Sequence, residues 1–210
     1  MTSTASTASI ASVFLDAADP TAAACFYSDA FGLESLVGVR ASDTPAEGFR
    51  GFTLSLTVSQ PSGVDRLVEA ALTAGATTTK PATKSLWGYG GVVRAPDGAL
   101  WKIATSAKKD KGPATSEIDQ VVLLLGVDDV VASKKFYVGQ GFTVGKSFGR
   151  KYVDFDTPAS PLKLGLYGRK ALAKDAGVAP EGTGPHGITI GGAGGPFTDP
   201  DGFAWEAVRA

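Results

Sequence analysis

The chain repeats itself, and no other feature restricts its fold as strongly. Near the start of each half, an apolar run ends at an Asp and a helix-like run carrying a Phe-Tyr pair follows. In the first half these are Val13-Phe14-Leu15-Asp16, then Cys25-Phe26-Tyr27 and Phe31-Gly32. In the second they are Val121-Val122-Leu123-Leu124-Leu125-Gly126-Val127-Asp128, then Lys135-Phe136-Tyr137 and Gly141-Phe142. Near the end of each half, Pro-Asp-Gly precedes a Trp: Pro96-Asp97-Gly98-Ala99-Leu100-Trp101 and Pro200-Asp201-Gly202-Phe203-Ala204-Trp205. Two motifs recurring in order, at nearly equal separations, imply two domain-sized copies rather than a solenoid. Residues 106–116 (SAKKDKGPATS) are polar with Gly and Pro, the composition of a linker. The expected units are therefore 10–105 and 117–210, with residues 1–9 (MTSTASTAS) as a disordered tail.

Local signals supply the elements. Asp19 before Pro20 is an N-cap followed by a residue preset for a first helical turn. This predicts a helix over 21–30 that buries Cys25, Phe26 and Phe31 and ends at Gly32. Val64, Leu67, Val68, Ala71 and Leu72 share one helical face, predicting a helix over 64–74. Further helices are read at 130–139 and 169–176. Strands are read at 10–17, 36–39, 49–58, 91–94 and 100–104, then at 120–127, 143–148, 151–155, 162–167, 187–190 and 203–208. The first copy then has no room for two strands between Val39 and Phe49. In the second, 191–196 (GGAGGP) stands where a helix like 64–74 belongs.

Composition limits function. The 210 residues carry 20 Lys and Arg against 21 Asp and Glu, a net charge of −1. That balance gives no footprint for nucleic acid or an anionic membrane. No apolar run approaches the ~20 residues of a membrane helix, and the first residues have no signal-peptide pattern. The single cysteine, Cys25, excludes an intramolecular disulfide framework and fits a cytoplasmic protein. The single histidine, His186, excludes any two-histidine metal site within one chain. The glycines after 187–190 lack the Lys and helix of a phosphate loop.

The opening strand ending in Asp, the helix carrying Phe-Tyr and a Gly-Phe or Phe-Gly pair, and the closing Pro-Asp-Gly-x-x-Trp strand resemble the vicinal-oxygen-chelate superfamily. That superfamily includes glyoxalase I, bleomycin-resistance proteins and extradiol dioxygenases. Trp87-Gly88-Tyr89-Gly90-Gly91 further resembles its actinobacterial-type members. The resemblance covers about 10–105 and 118–209. It implies an α+β fold in which βαβββ modules pair into two tandem curved mixed sheets, helices outside, each cupping a ligand.

The resemblance also assigns metal positions. In the first half these are Ser12, about Gly51, and Lys102, whose ammonium has no lone pair to offer a cation. In the second they are Gln120, Gly187 and Glu206. His186 stands one residue from the middle position, and strand alternation turns it outward unless a bulge restores the register. The expectation is a cup with no metal ligands and no required cofactor. Its ligand-binding candidates are Trp87, Tyr89, Trp101, Lys102, Gln120, Trp205 and Glu206. Trp101 and Trp205 read equally well as core, as Cys25 does; Asp154 and Asp156 read as a solvated strand face.

Three functions remain open. The first is a metal-free binding protein for a small organic molecule. The second is a divalent-metal glyoxalase- or dioxygenase-like enzyme built on Gln120, His186 and Glu206. The third is an interaction module, such as a homodimer, whose cup a partner chain fills.

Overall fold

The computed structural model describes residues 8–44, 46–158, 160–193 and 195–208. In chain order the elements are β1 (Ser9–Ala17), α1 (Pro20–Phe31), β2 (Val37–Ala41), β3 (Glu47–Gly48), β4 (Phe52–Thr57), α2 (Pro61–Thr73), β5 (Thr77–Ser85), β6 (Gly88–Arg94) and β7 (Leu100–Thr105). There follow β8 (Gln120–Val127), α3 (Val130–Gly139), β9 (Thr143–Ser147), β10 (Tyr152–Asp156), β11 (Leu162–Gly168) and α4 (Arg169–Ala176). The last are β12 (Gly182–Thr183), β13 (Ile188–Ala193), β14 (Phe197–Thr198) and β15 (Ala204–Ala207).

The helix signals act as read. The Asp19 carboxylate accepts a hydrogen bond from the Ala22 amide, Pro20 opens α1, and Gly32 closes it at φ 63°. Asp129 caps α3 the same way, accepting from the Val131 and Ala132 amides. The α1 face that packs inward is Ala23, Phe26, Tyr27, Ala30 and Phe31. That face follows the three-and-four spacing and leaves Cys25 outside it. Cys25 is exposed, so the expected burial of this thiol is corrected. Ala8 is buried and Ser9 already belongs to β1, while residues 1–7 of the expected tail lie outside the described residues.

The strands form two principal sheets. The larger has eight, in the order β5-β6-β7-β4-β8-β11-β10-β9. The smaller has five, in the order β14-β15-β13-β1-β2, and β3 pairs separately with β12. Both sheets share one plan. Two antiparallel strands meet at the middle, β4 with β8 and β1 with β13, and each is flanked by a parallel neighbour. In each sheet one middle strand comes from each half of the chain, so 10–105 and 117–210 both contribute to both sheets. The first copy has only the two-residue β3 between β2 and β4, and no helix stands between β13 and β14 among the described residues. This is the α+β arrangement of paired βαβββ modules, two of them abbreviated.

Helices α1, α2 and α3 cover one face of the strands. That face carries Leu54, Leu56, Trp101, Ile103, Leu123, Leu125, Leu164 and Leu166, all fully buried. Helix α4 does the opposite. Its Leu172, Ala173 and Ala176 pack with Phe49, Val92, Leu100, Leu124 and Tyr167 on the other face of the eight-stranded sheet. One end of that hollow is thereby filled by the chain itself.

Candidate functional site

Strand alternation decides which side chains reach the open face. On β7, Trp101 and Ile103 point to the helices, so Lys102 and Ala104 point into the hollow. On β4, Ser55 and Thr57 do the same, and Ser55 stands beside Lys102 in register. Where α4 ends, the hollow stays open as a cavity of about 580 Å³. Thr57, Lys80, Trp87, Lys102, Ala104 and Asp175 are among its walls.

The charged groups of this cavity are paired across it. The Lys102 ammonium donates to the Asp175 carboxylate at 2.6 Å, joining the β7 floor to the last turn of α4. Lys80 Nζ donates to the Asp175 backbone carbonyl at 3.2 Å. Both partners of the Lys102–Asp175 pair keep about a third of their side-chain surface exposed, 34% and 38%. An ion pair this wet contributes ~0–1 kcal/mol to stability. Beneath it, the Ser55 hydroxyl is buried and has no hydrogen-bond partner. Trp87 stands 84% exposed at the turn between β5 and β6. Tyr89, on β6, donates its hydroxyl to Asp65 of α2 at 2.7 Å. That bond to a carboxylate, more than burial, holds the Tyr89 phenol above its ordinary pKa.

The structure thus brings Trp87 and Lys102 to one cavity; Tyr89 borders it on β6 but turns its side chain to the helix side, toward Asp65, and the other candidates lie elsewhere. Gln120 begins β8 opposite Thr57, next to Asp119 on the cavity wall. Trp101 is fully buried on the helix side, tilted against Tyr27 and Phe31 with ring centroids 5.4 and 5.0 Å away. Trp205 is buried in the matching cluster, its indole N–H donating to the Tyr137 hydroxyl at 3.1 Å. Glu206 lies on the five-stranded sheet, paired with Arg40, whose guanidinium covers the Phe14 ring at 4.0 Å.

The residues assigned to a metal do not fit one. Gln120 and Glu206 belong to different sheets. Both ring nitrogens of His186 face backbone carbonyls, Nδ1 at 2.6 Å from Arg50 O and Nε2 at 2.9 Å from Asp201 O. The ring also stacks on Phe203, with centroids 3.9 Å apart. Neither nitrogen is free to coordinate. Among the described residues, no three His, Cys, Asp or Glu side chains converge.

Sequence reasoning missed Lys80, Asp175 and Ser55. Lys80 lies on a strand whose residues (TTTKPATKS) show no apolar alternation. Asp175 lies on a short polar helix whose place in the hollow no local signal announces. Ser55 was within reach, since the alternation of Phe52, Leu54 and Leu56 already put it on the opposite face.

No protein-family model matches the sequence, and no curated protein sequence matches it. Solved structures do. Two single-substitution variants of glyoxalase I from Zea mays superpose with TM-scores of 0.60 and 0.61 at 14% identity. Each alignment covers 96% of this chain, and 92% and 93% of theirs. The chain has the glyoxalase I fold. A further structure of glyoxalase I from Zea mays aligns over 89% of this chain and 75% of its own, with a TM-score of 0.56 at 14% identity. With the glyoxalase I fold fixed, the Lys102 cavity lies at the end of the two middle strands of its larger sheet.

Proposed function

We propose that the chain binds a small organic molecule, without a metal ion, in the open end of the eight-stranded hollow. The observation that carries this reading is the cavity of about 580 Å³, in which a half-buried ammonium, hydroxyls and an exposed indole converge. A volume of this size matches a ligand of a few rings, with apolar walls and a few orienting polar groups. Trp87 and Lys102 are its principal contacts, and Gln120 lies at its rim. The metal-free part rests on donor chemistry: the cavity's central side chain is an ammonium, which has no lone pair for a cation. The open β5–β6 edge keeps the cavity accessible, and α4 fills the rest of the hollow.

The test is a ligand-observed NMR screen of small organic fragments after exhaustive chelation. Hits should bind the wild-type chain saturably and lose binding in Ala104→Trp, which fills the cavity. Hits that persist in Ala104→Trp, or an absence of hits, would sink the reading. Hits that need added metal would sink its metal-free part.

A further inference from the structure

We propose that the ligand of this cavity carries a carboxylate, which takes the place of Asp175 on the Lys102 ammonium. The inference rests on the binding reading above and names the class of molecule bound.

Two observations meet at one point. Lys102 reaches up from the sheet floor to a carboxylate supplied by the chain itself, with Nζ and Oδ2 2.6 Å apart. Asp175 sits in the last turn of α4, partly open to solvent, so its side chain can swing out without unpacking Leu172 or Ala173.

Charge decides the sign of the guest. Lys80 and Lys102 are balanced by Asp175 and Asp119 around the cavity. A carboxylate that replaces Asp175 at Lys102 leaves that balance unchanged. A cation in the same place would meet an ammonium already committed to donating. Asp175 therefore acts as an internal competitor for the ligand's anionic group. Val92 and Ala104 on the floor, with Trp87 at the rim, would receive the flat apolar remainder.

Calorimetric titration with three probes of one shape tests this: benzoate, benzamide and benzylammonium. Benzoate should bind the intact chain at least 10-fold more tightly than either of the others. Asp175→Asn removes the competitor and should tighten benzoate about 5-fold while leaving benzamide unmoved. Lys102→Gln should abolish the preference for benzoate. The gain of affinity in Asp175→Asn guards against variants that merely misfold. If benzamide or benzylammonium binds as well as benzoate, and Ala104→Trp blocks it, the carboxylate inference is overturned while the binding reading stands. If no probe binds, or binding ignores Ala104→Trp, both fall.

Discussion

Gly51 shows how one residue can be fixed by what surrounds it. Its φ is +86°, and a Cβ there would come within 2.5 Å of Arg169 Nη1 and 2.9 Å of His186 Nδ1. Its carbonyl also accepts from the Gly126 amide at 2.7 Å, where the middle strands of the large sheet converge. Gly51→Ala should therefore cost about 2–4 kcal/mol from strain and displacement together, read as a lower urea midpoint. A loss below ~1 kcal/mol would show that the junction yields easily. Beside it, Arg50 donates to the carbonyls of His186, Gly187 and Asp97. Burial lowers the pKa of this guanidinium, with Asp97 opposing. The second repeat holds the complementary case. Asp199 is 5% exposed and accepts from Tyr137 Oη at 2.7 Å and from the Phe203 and Asp201 amides. Burial outweighs those bonds and raises its pKa. The native state then holds a proton that the unfolded chain, titrating near ~3.9, has released. Stability from this group falls as pH climbs from about 4 toward the raised native value. Asp199→Asn should remove that downward component, and urea unfolding at pH 4, 5 and 6 measures it. Equal slopes in the two proteins would refute the assignment.

Among the elements, α4 is the one whose position decides what the hollow can hold. Leu172 is 1% exposed at the centre of its contact with the sheet. Leu172→Ala should cost about 2–4 kcal/mol in urea unfolding, through lost contact and the void left behind. A cost near zero would mean that α4 rests on the hollow without being anchored there. The sequence made this helix legible, as it did α1 and α3, because caps and helix-forming residues are local signals. Its destination was not legible, because Leu172 and Ala173 look the same whichever face of a sheet receives them. Strand β5 is the reverse case. It pairs along nearly its whole length with β6, yet its residues are mostly exposed at the sheet edge, so no buried face imprints an alternation. The candidate site divides the same way. Trp87 and Lys102 could be placed by motif and parity, whereas Lys80 and Asp175 depend on an edge strand and a helix that pairing and packing alone bring together.

At the scale of the whole molecule, each sheet draws its middle strands from both copies of the repeat. Strand β4 pairs with β8 from Phe52↔Leu125 to Thr57↔Gln120, and β1 pairs with β13 across the entire chain. The link between the halves is itself held in place. The Gln60 side chain bonds the backbone at Lys111, Gly112 and Pro113, and Asp110 accepts from the Ser62 amide. Fragments 1–105 and 106–210 expressed separately should each lack cooperative unfolding, and mixing them should restore it, as circular dichroism melts would show. Two fragments that each melt cooperatively alone would refute this. The duplication was readable because its motifs recur, but its exchange of strands was not, since pairing between distant segments leaves no local pattern. The same interleaving bears on how the chain comes into being at the ribosome. Ser9 emerges long before its partner Ala193. At ~5–20 residues per second, β1 spends on the order of 10 s or more outside the exit tunnel before β13 can reach it. During that interval β1 exposes a bare edge to every neighbouring nascent chain.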